Sequence, residues 1–194
     1  MGASSQAFQV VRAEPEVLDR IVRTAISSFY LDLSGSGWCG REREMVSLFA
    51  FAHLADCLKG TVFTLAQIGI EVAVPQLPAD SRHPGRKGTV CKDLVIWREP
   101  KSTMWAMDGE FREPWSVMEW KVVHPFNRRL RSGILAERQA DILWLQQKSI
   151  AVAGLVGYSL FVDGASSPRQ LSCARIYNGK IDREWMTLPN KPVH

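Results

Sequence analysis

No two cysteines of this chain have C-x-x-C spacing; Cys39, Cys57, Cys91 and Cys173 are scattered along 194 residues. That argues against a disulfide framework or a zinc cluster and fits a reducing cytoplasm. Cys57 and Cys91 stand in apolar runs and read as buried thiols. No apolar run approaches the ~20 residues that a membrane span needs. Met1-Gly2-Ala3-Ser4-Ser5 lacks a basic stretch leading into an apolar one, so no secretion signal is read. Internal repeats and low-complexity segments are missing too. Ser34-Gly35-Ser36-Gly37 lacks the Gly-Lys-Ser/Thr of a phosphate loop and reads as a connector. A formal net charge of +4 permits a polyanionic partner without demanding one. The expectation is a soluble, cytoplasmic protein with no membrane partner.

What is present suffices for one core. Hydrophobic residues make up 46% and charged residues 23%, ordinary values for a globular domain of this length. Glu14 to Tyr30 and Gly40 to Leu58 carry apolar residues at helical spacing, and so does Leu130 to Lys148. In the last of these Ile134, Leu135, Ile142 and Leu145 mark the apolar side, and Arg131, Arg138, Asp141 and Lys148 the polar side. Ile68–Val74, Val90–Trp97, Trp115–Val123 and Ile150–Val162 read as strands. Leu171–Tyr177 and Lys180–Leu188 flank Asn178-Gly179, a strong hairpin signal. The fold class is α/β, a central mixed sheet flanked by helices, in one domain over 1–194. An N-terminal helix and loop (1–39) lead into a core (40–162), followed by a C-terminal hairpin and tail (163–194).

Charge in the wrong place is the informative feature. Asp93 precedes the apolar Leu94-Val95-Ile96-Trp97, and Glu119 and Lys121 are set into Trp115–Val123. Alternation along a strand puts Glu119 and Lys121 on one face and Met118, Trp120 and Val122 on the other. Charges facing out of an apolar strand are costly to desolvate unless they are paired or bind a metal. Upstream, Glu42 and Glu44 lie near a helix N-terminus, where the helix dipole favours carboxylates. On a helical wheel they flank the buried stripe from opposite edges, each about 80° from its centre. Trp97, Trp115 and Trp120 read as core and Trp38 as exposed, while His124 reads as structural or surface.

A helical acid (Glu44, or Glu42), an aspartate opening a strand (Asp93, in KDLVIW) and Glu119-x-Lys121 on the next strand (MEWKVV) together resemble the PD-(D/E)xK nuclease superfamily. Lys92 stands where that family's first motif has proline, and Leu143 breaks one exonuclease branch's glutamine–tyrosine pair. The resemblance implies a restriction-endonuclease-like core (αβββαβ). It implies a nuclease that hydrolyses nucleic-acid phosphodiesters, DNA before RNA, with Mg²⁺ or Mn²⁺. Asp93, Glu119, Glu44 and the backbone carbonyl of Trp120 would then be the metal ligands, with Lys121 orienting or helping to deprotonate the attacking water. Basic residues Arg86 and Lys87 in one loop, and Arg128, Arg129 and Arg131 in another, are candidates for nucleic-acid contacts. A homodimer or larger complex would fit so small a chain. The alternatives are a nuclease-fold protein that binds nucleic acid or acts as a scaffold without turnover, and an unrelated interaction domain.

Overall fold

The computed structural model describes residues 15–77, 88–102, 112–126 and 131–189. Strands β1 (Ile68–Pro75), β2 (Thr89–Trp97), β3 (Pro114–Val123), β4 (Val156–Asp163), β5 (Gln170–Tyr177) and β6 (Lys180–Leu188) form one six-stranded sheet in sequence order. All neighbours are antiparallel except β3 and β4. That parallel pair needs a crossover, and helix α4 (Arg131–Ala151) supplies it. The α/β class with a mixed sheet is as the sequence implies. Among the described residues no helix is long and apolar enough to cross a membrane.

The other sheet face is covered by α1 (Pro15–Gly35) and by α2 (Glu42–Leu48), which runs through a π-helical turn, Phe49–Leu54, into α3 (Ala55–Leu58). Leu18, Ile21, Val22, Ala25, Ile26, Phe29 and Leu33 repeat at three- and four-residue steps and are buried there. α1 outruns its expected end at Tyr30 because Leu33 continues the stripe. Arg169 then gathers the carbonyls beyond it, donating to Leu33 at 2.6 Å and to Gly37 and Trp38. The expected connector at 34–37 is therefore held by a side chain distant in sequence. Trp120 is fully buried on this face, 5.5 Å from Phe29 and 5.1 Å from Phe49 between ring centroids. Pinning Trp120 there turns Glu119 and Lys121 to the α4 face, between Val117 and Val123, as alternation predicts.

Three expectations need correction. Ile150 belongs to the end of α4, not to a strand; the chain turns at Gly154 (φ +78°), and β4 starts at Val156. Arg138, Asp141 and Lys148 do not form a solvent face, because α4 turns them to the sheet, where partners answer their polarity. Arg138 donates to Ser159 and Ser172, and Lys148 donates to the Pro75 carbonyl and Glu113. Leu135, Leu143 and Ile150 are exposed instead. Of the cysteines, Cys173 is the buried one; Cys91 is exposed and Cys57 half-buried. The hairpin forms as expected, with Asn178 at φ +48° and Gly179 at +74°, both in the left-handed region that a tight hairpin turn requires.

Candidate functional site

β2 and β3 pair from Leu94↔Met118 to Trp97↔Pro114 and then part. Their outer neighbours do not follow: β1 stays on β2 to Thr89, and β4 stays on β3 to Val123. The sheet therefore opens at one seam. Where the ladder ends, Asp93 Oδ2 accepts the Trp120 N–H at 2.7 Å, replacing a backbone partner. β2 also changes face here. Leu94 and Ile96 pack on the α1 side, whereas Val90 packs on the α4 side and Lys92 lies over the α4 residue Trp144. β1 switches in the same way between Ile70 and Val72, across Glu71 with its left-handed φ of +50°. The two strands change sides together, and beyond Met118 the β3 edge is left without a β2 partner.

Four carboxylates and two ammonium groups meet along this seam. Glu119, 5% exposed, is paired through Oε1 with Lys92 Nζ. Lys121 Nζ donates to the Trp120 carbonyl at 2.8 Å and lies 3.0 Å from Asp141 Oδ2 and 4.0 Å from Glu42 Oε1. Asp141 Oδ2 accepts no directed hydrogen bond, so its contact with Lys121 is an ion pair off the bonding direction. The acids Glu42, Asp93, Glu119 and Asp141 outnumber the ammonium groups of Lys92 and Lys121. Desolvation raises the Glu42 carboxyl to about 7; Lys121 opposes this, and Asp93 and Asp141 add to it. Burial also raises Glu119, with Lys92 opposing and Asp93 and Asp141 adding. Burial alone would lower Lys121, but Asp141, Glu42 and Asp93 outweigh it and hold the ammonium above the ordinary lysine range.

The structure brings Asp93, Glu119 and Lys121 together and decides between the helical acids. Glu44 is exposed and turns back on its own helix, accepting the Arg41 N–H at 2.6 Å as the third-residue glutamate of a capping box does. Glu42, two residues earlier, points to Lys121. Asp141 went unrecognised in the sequence; its signal is an acid at helical spacing from Ile134 and Leu145 on a buried stripe. His124 is tied to the backbone, with Nε2 2.8 Å from the Cys39 carbonyl and Nδ1 accepting the Phe126 N–H, and it also faces the cleft beside Lys121. Arg131 is ion-paired to Asp163 at 3.0 Å but remains 56% exposed. Arg86, Lys87, Arg128 and Arg129 lie outside the described residues. A cleft of about 590 Å³ opens beside the seam, lined by Arg41, Glu42, Lys121, Phe126, Ile134 and Glu137 among others.

The donor chemistry suits a hard dication, which takes carboxylate and carbonyl oxygens. The arrangement is not a metal cage. Among the described residues no three His, Cys, Asp or Glu side chains form a group that could hold an ion. Each expected ligand is answered by a protein donor: Glu119 by Lys92, the Trp120 carbonyl by Lys121, and Asp93 by the Trp120 N–H. Compared with family models, curated proteins and solved structures, the chain matches none.

Proposed function

We propose that this protein is a nuclease of the PD-(D/E)xK type that hydrolyses phosphodiester bonds of nucleic acid, DNA in the first instance, with Mg²⁺ or Mn²⁺ as cofactor. In this reading α2, β1–β3, α4 and β4 are its restriction-endonuclease-like core. The observation that carries it is the gathering of Asp93, Glu119, Lys121 and a helical acid, Glu42, where β2 parts from β3, with Glu42 and Lys121 facing the adjoining cleft. Acids crowded until their protons are held more tightly than usual are common at catalytic sites. A bound dication would supply Lewis-acid stabilisation of the phosphate and a more acidic water.

The chain's own groups divide the remaining work. Lys121, held protonated by Asp141 and Glu42, offsets negative charge gathering on the phosphate and orients water, and is not the base. Glu42, with its carboxyl near 7 at the cleft wall, suits accepting a proton from that water. Arg41, exposed at the cleft, is placed to meet a neighbouring phosphate. The Lys92–Glu119 pair favours a second reading, a nuclease-fold protein that binds nucleic acid without turnover.

Incubation with supercoiled and linear duplex DNA, single-stranded DNA and RNA, in Mg²⁺, Mn²⁺ or EDTA, separates the two. Cleavage in either metal and none in EDTA is the expected result. Binding without cleavage under every condition would leave the scaffold reading.

A further inference from the structure

Phe126 has no part in the chemistry above and none in the core. At 88% exposed it is the most solvent-facing large hydrophobic side chain among the described residues, and it stands at the wall of the cleft. It is nonetheless held in place. The Phe126 N–H donates to His124 Nδ1 at 3.2 Å, and the His124 Nε2–H donates to the Cys39 carbonyl at 2.8 Å. The two rings meet at 5.6 Å between centroids, tilted by 52°. A histidine braced at both nitrogens thus backs the phenyl ring, and most of that ring stays open to water. The same cleft adds Ile134 to this apolar surface and sets Arg41 and Lys121 beside it. A flat apolar group next to negative charge is what a nucleotide presents once its base is out of the stack.

We propose that Phe126 is a stacking platform for an unpaired base, so that the substrate of this site is a single-stranded segment of nucleic acid rather than intact duplex. The inference rests on the nucleic-acid reading given above and narrows its substrate. Base faces in a duplex are covered by their neighbours, so a protein ring stacks only on a base that is unpaired or turned out. Phe126 follows Lys121 by five positions, at most about 18 Å of backbone. A phosphate at Lys121 and a base on Phe126 therefore belong to one short stretch of strand. Every base has a π face, so the platform selects for single strands without selecting a sequence. Phe126 touches no reacting atom; it is a positioning residue.

The test is anisotropy of labelled oligonucleotides in EDTA, where no strand is cut, with wild type, Phe126→Ala, Phe126→Leu and Phe126→Trp. So exposed a position should leave all three folded. The ligands are a thymidine strand, an abasic strand of the same length and a blunt duplex. Phe126→Ala is expected to bind the thymidine strand about ten-fold more weakly than wild type, the scale of one lost base stack. Phe126→Leu should fall with it, having no flat face, and Phe126→Trp should match wild type or exceed it. The abasic strand and the duplex should not distinguish the variants. Equal losses on all three ligands, or a leucine variant that binds as wild type does, would overturn the proposal. If wild type cleaves in Mg²⁺ while Phe126→Ala binds the thymidine strand unchanged, the platform alone fails. If wild type binds no ligand and cleaves none, the nucleic-acid reading fails and takes the platform with it.

Discussion

Replacing Asp93 separates what its carboxylate does for the fold from what it does for chemistry. Oδ2 accepts the N–H of Trp120, a fully buried residue, where the β2–β3 ladder ends. Asp93→Ala leaves that donor without a partner, which costs about 1–3 kcal/mol. For a chain of this length each kcal/mol moves the unfolding midpoint by about 2–4 °C, so a fall of roughly 2–12 °C is expected. Removing the charge also relieves Glu42 and Glu119, both of which Asp93 holds up, and this pulls the loss toward the lower figure. Asp93→Asn keeps an acceptor oxygen for Trp120 and discards only the charge. It should unfold within about 2 °C of wild type, or above it. Both variants should lose metal-dependent cleavage. The assay is thermal unfolding by circular dichroism beside single-turnover cleavage. An Asn variant as unstable as the Ala variant would show that the hydrogen bond to Trp120 is not what Asp93 contributes. An Asn variant that cleaves at the wild-type rate would remove Asp93 from the site.

Glu42→Gln should reduce cleavage by about 10²-fold or more, the usual scale for losing a general base, while Glu44→Gln should cleave normally and unfold close to wild type, because glutamine keeps an acceptor for the Arg41 N–H. The folded Glu42 carboxyl, near 7, lies above its ordinary value of 4.5, so the native protein keeps a proton that the unfolded chain has released. Its contribution is thus present below pH 4.5 and lost as pH rises toward 7; in EDTA the wild-type midpoint should fall over that window, and less so in Glu42→Gln. Arg169→Ala strips the carbonyls of Leu33, Gly37 and Trp38 of their donor. Limited proteolysis should then cut within 33–38 faster than in wild type, and equal protection would show that the loop holds itself.

Much of the fold is legible because its signals are local. The face assignment along β3 follows from alternation, which sends Trp120 with Met118 and Val122 to the face under α1 and α2. The hairpin follows from the tolerance of Asn178 and Gly179 for left-handed backbone. What was hidden depends on partners distant in the chain. Arg138, Asp141 and Lys148 look like a solvent face until the sheet supplies Ser159, Ser172, Lys121 and Glu113. The side of β2 on which Lys92 emerges depends on Glu71, a residue type that rarely takes positive φ. The choice between Glu42 and Glu44 turns on a capping contact whose first residue is Arg41, not the serine or threonine that would have announced it.

Lys121 is the group on which the enzymatic reading turns, since its ammonium joins Asp141, Glu42 and the Trp120 carbonyl at the cleft wall. The decisive measurement is the single-turnover rate of DNA cleavage in Mg²⁺ by wild type and by a folded Lys121→Met variant. A fall of about 10²–10³-fold is predicted, the scale for removing one donor that stabilises transition-state charge. A Lys121→Met protein that cleaves as fast as wild type would contradict the account.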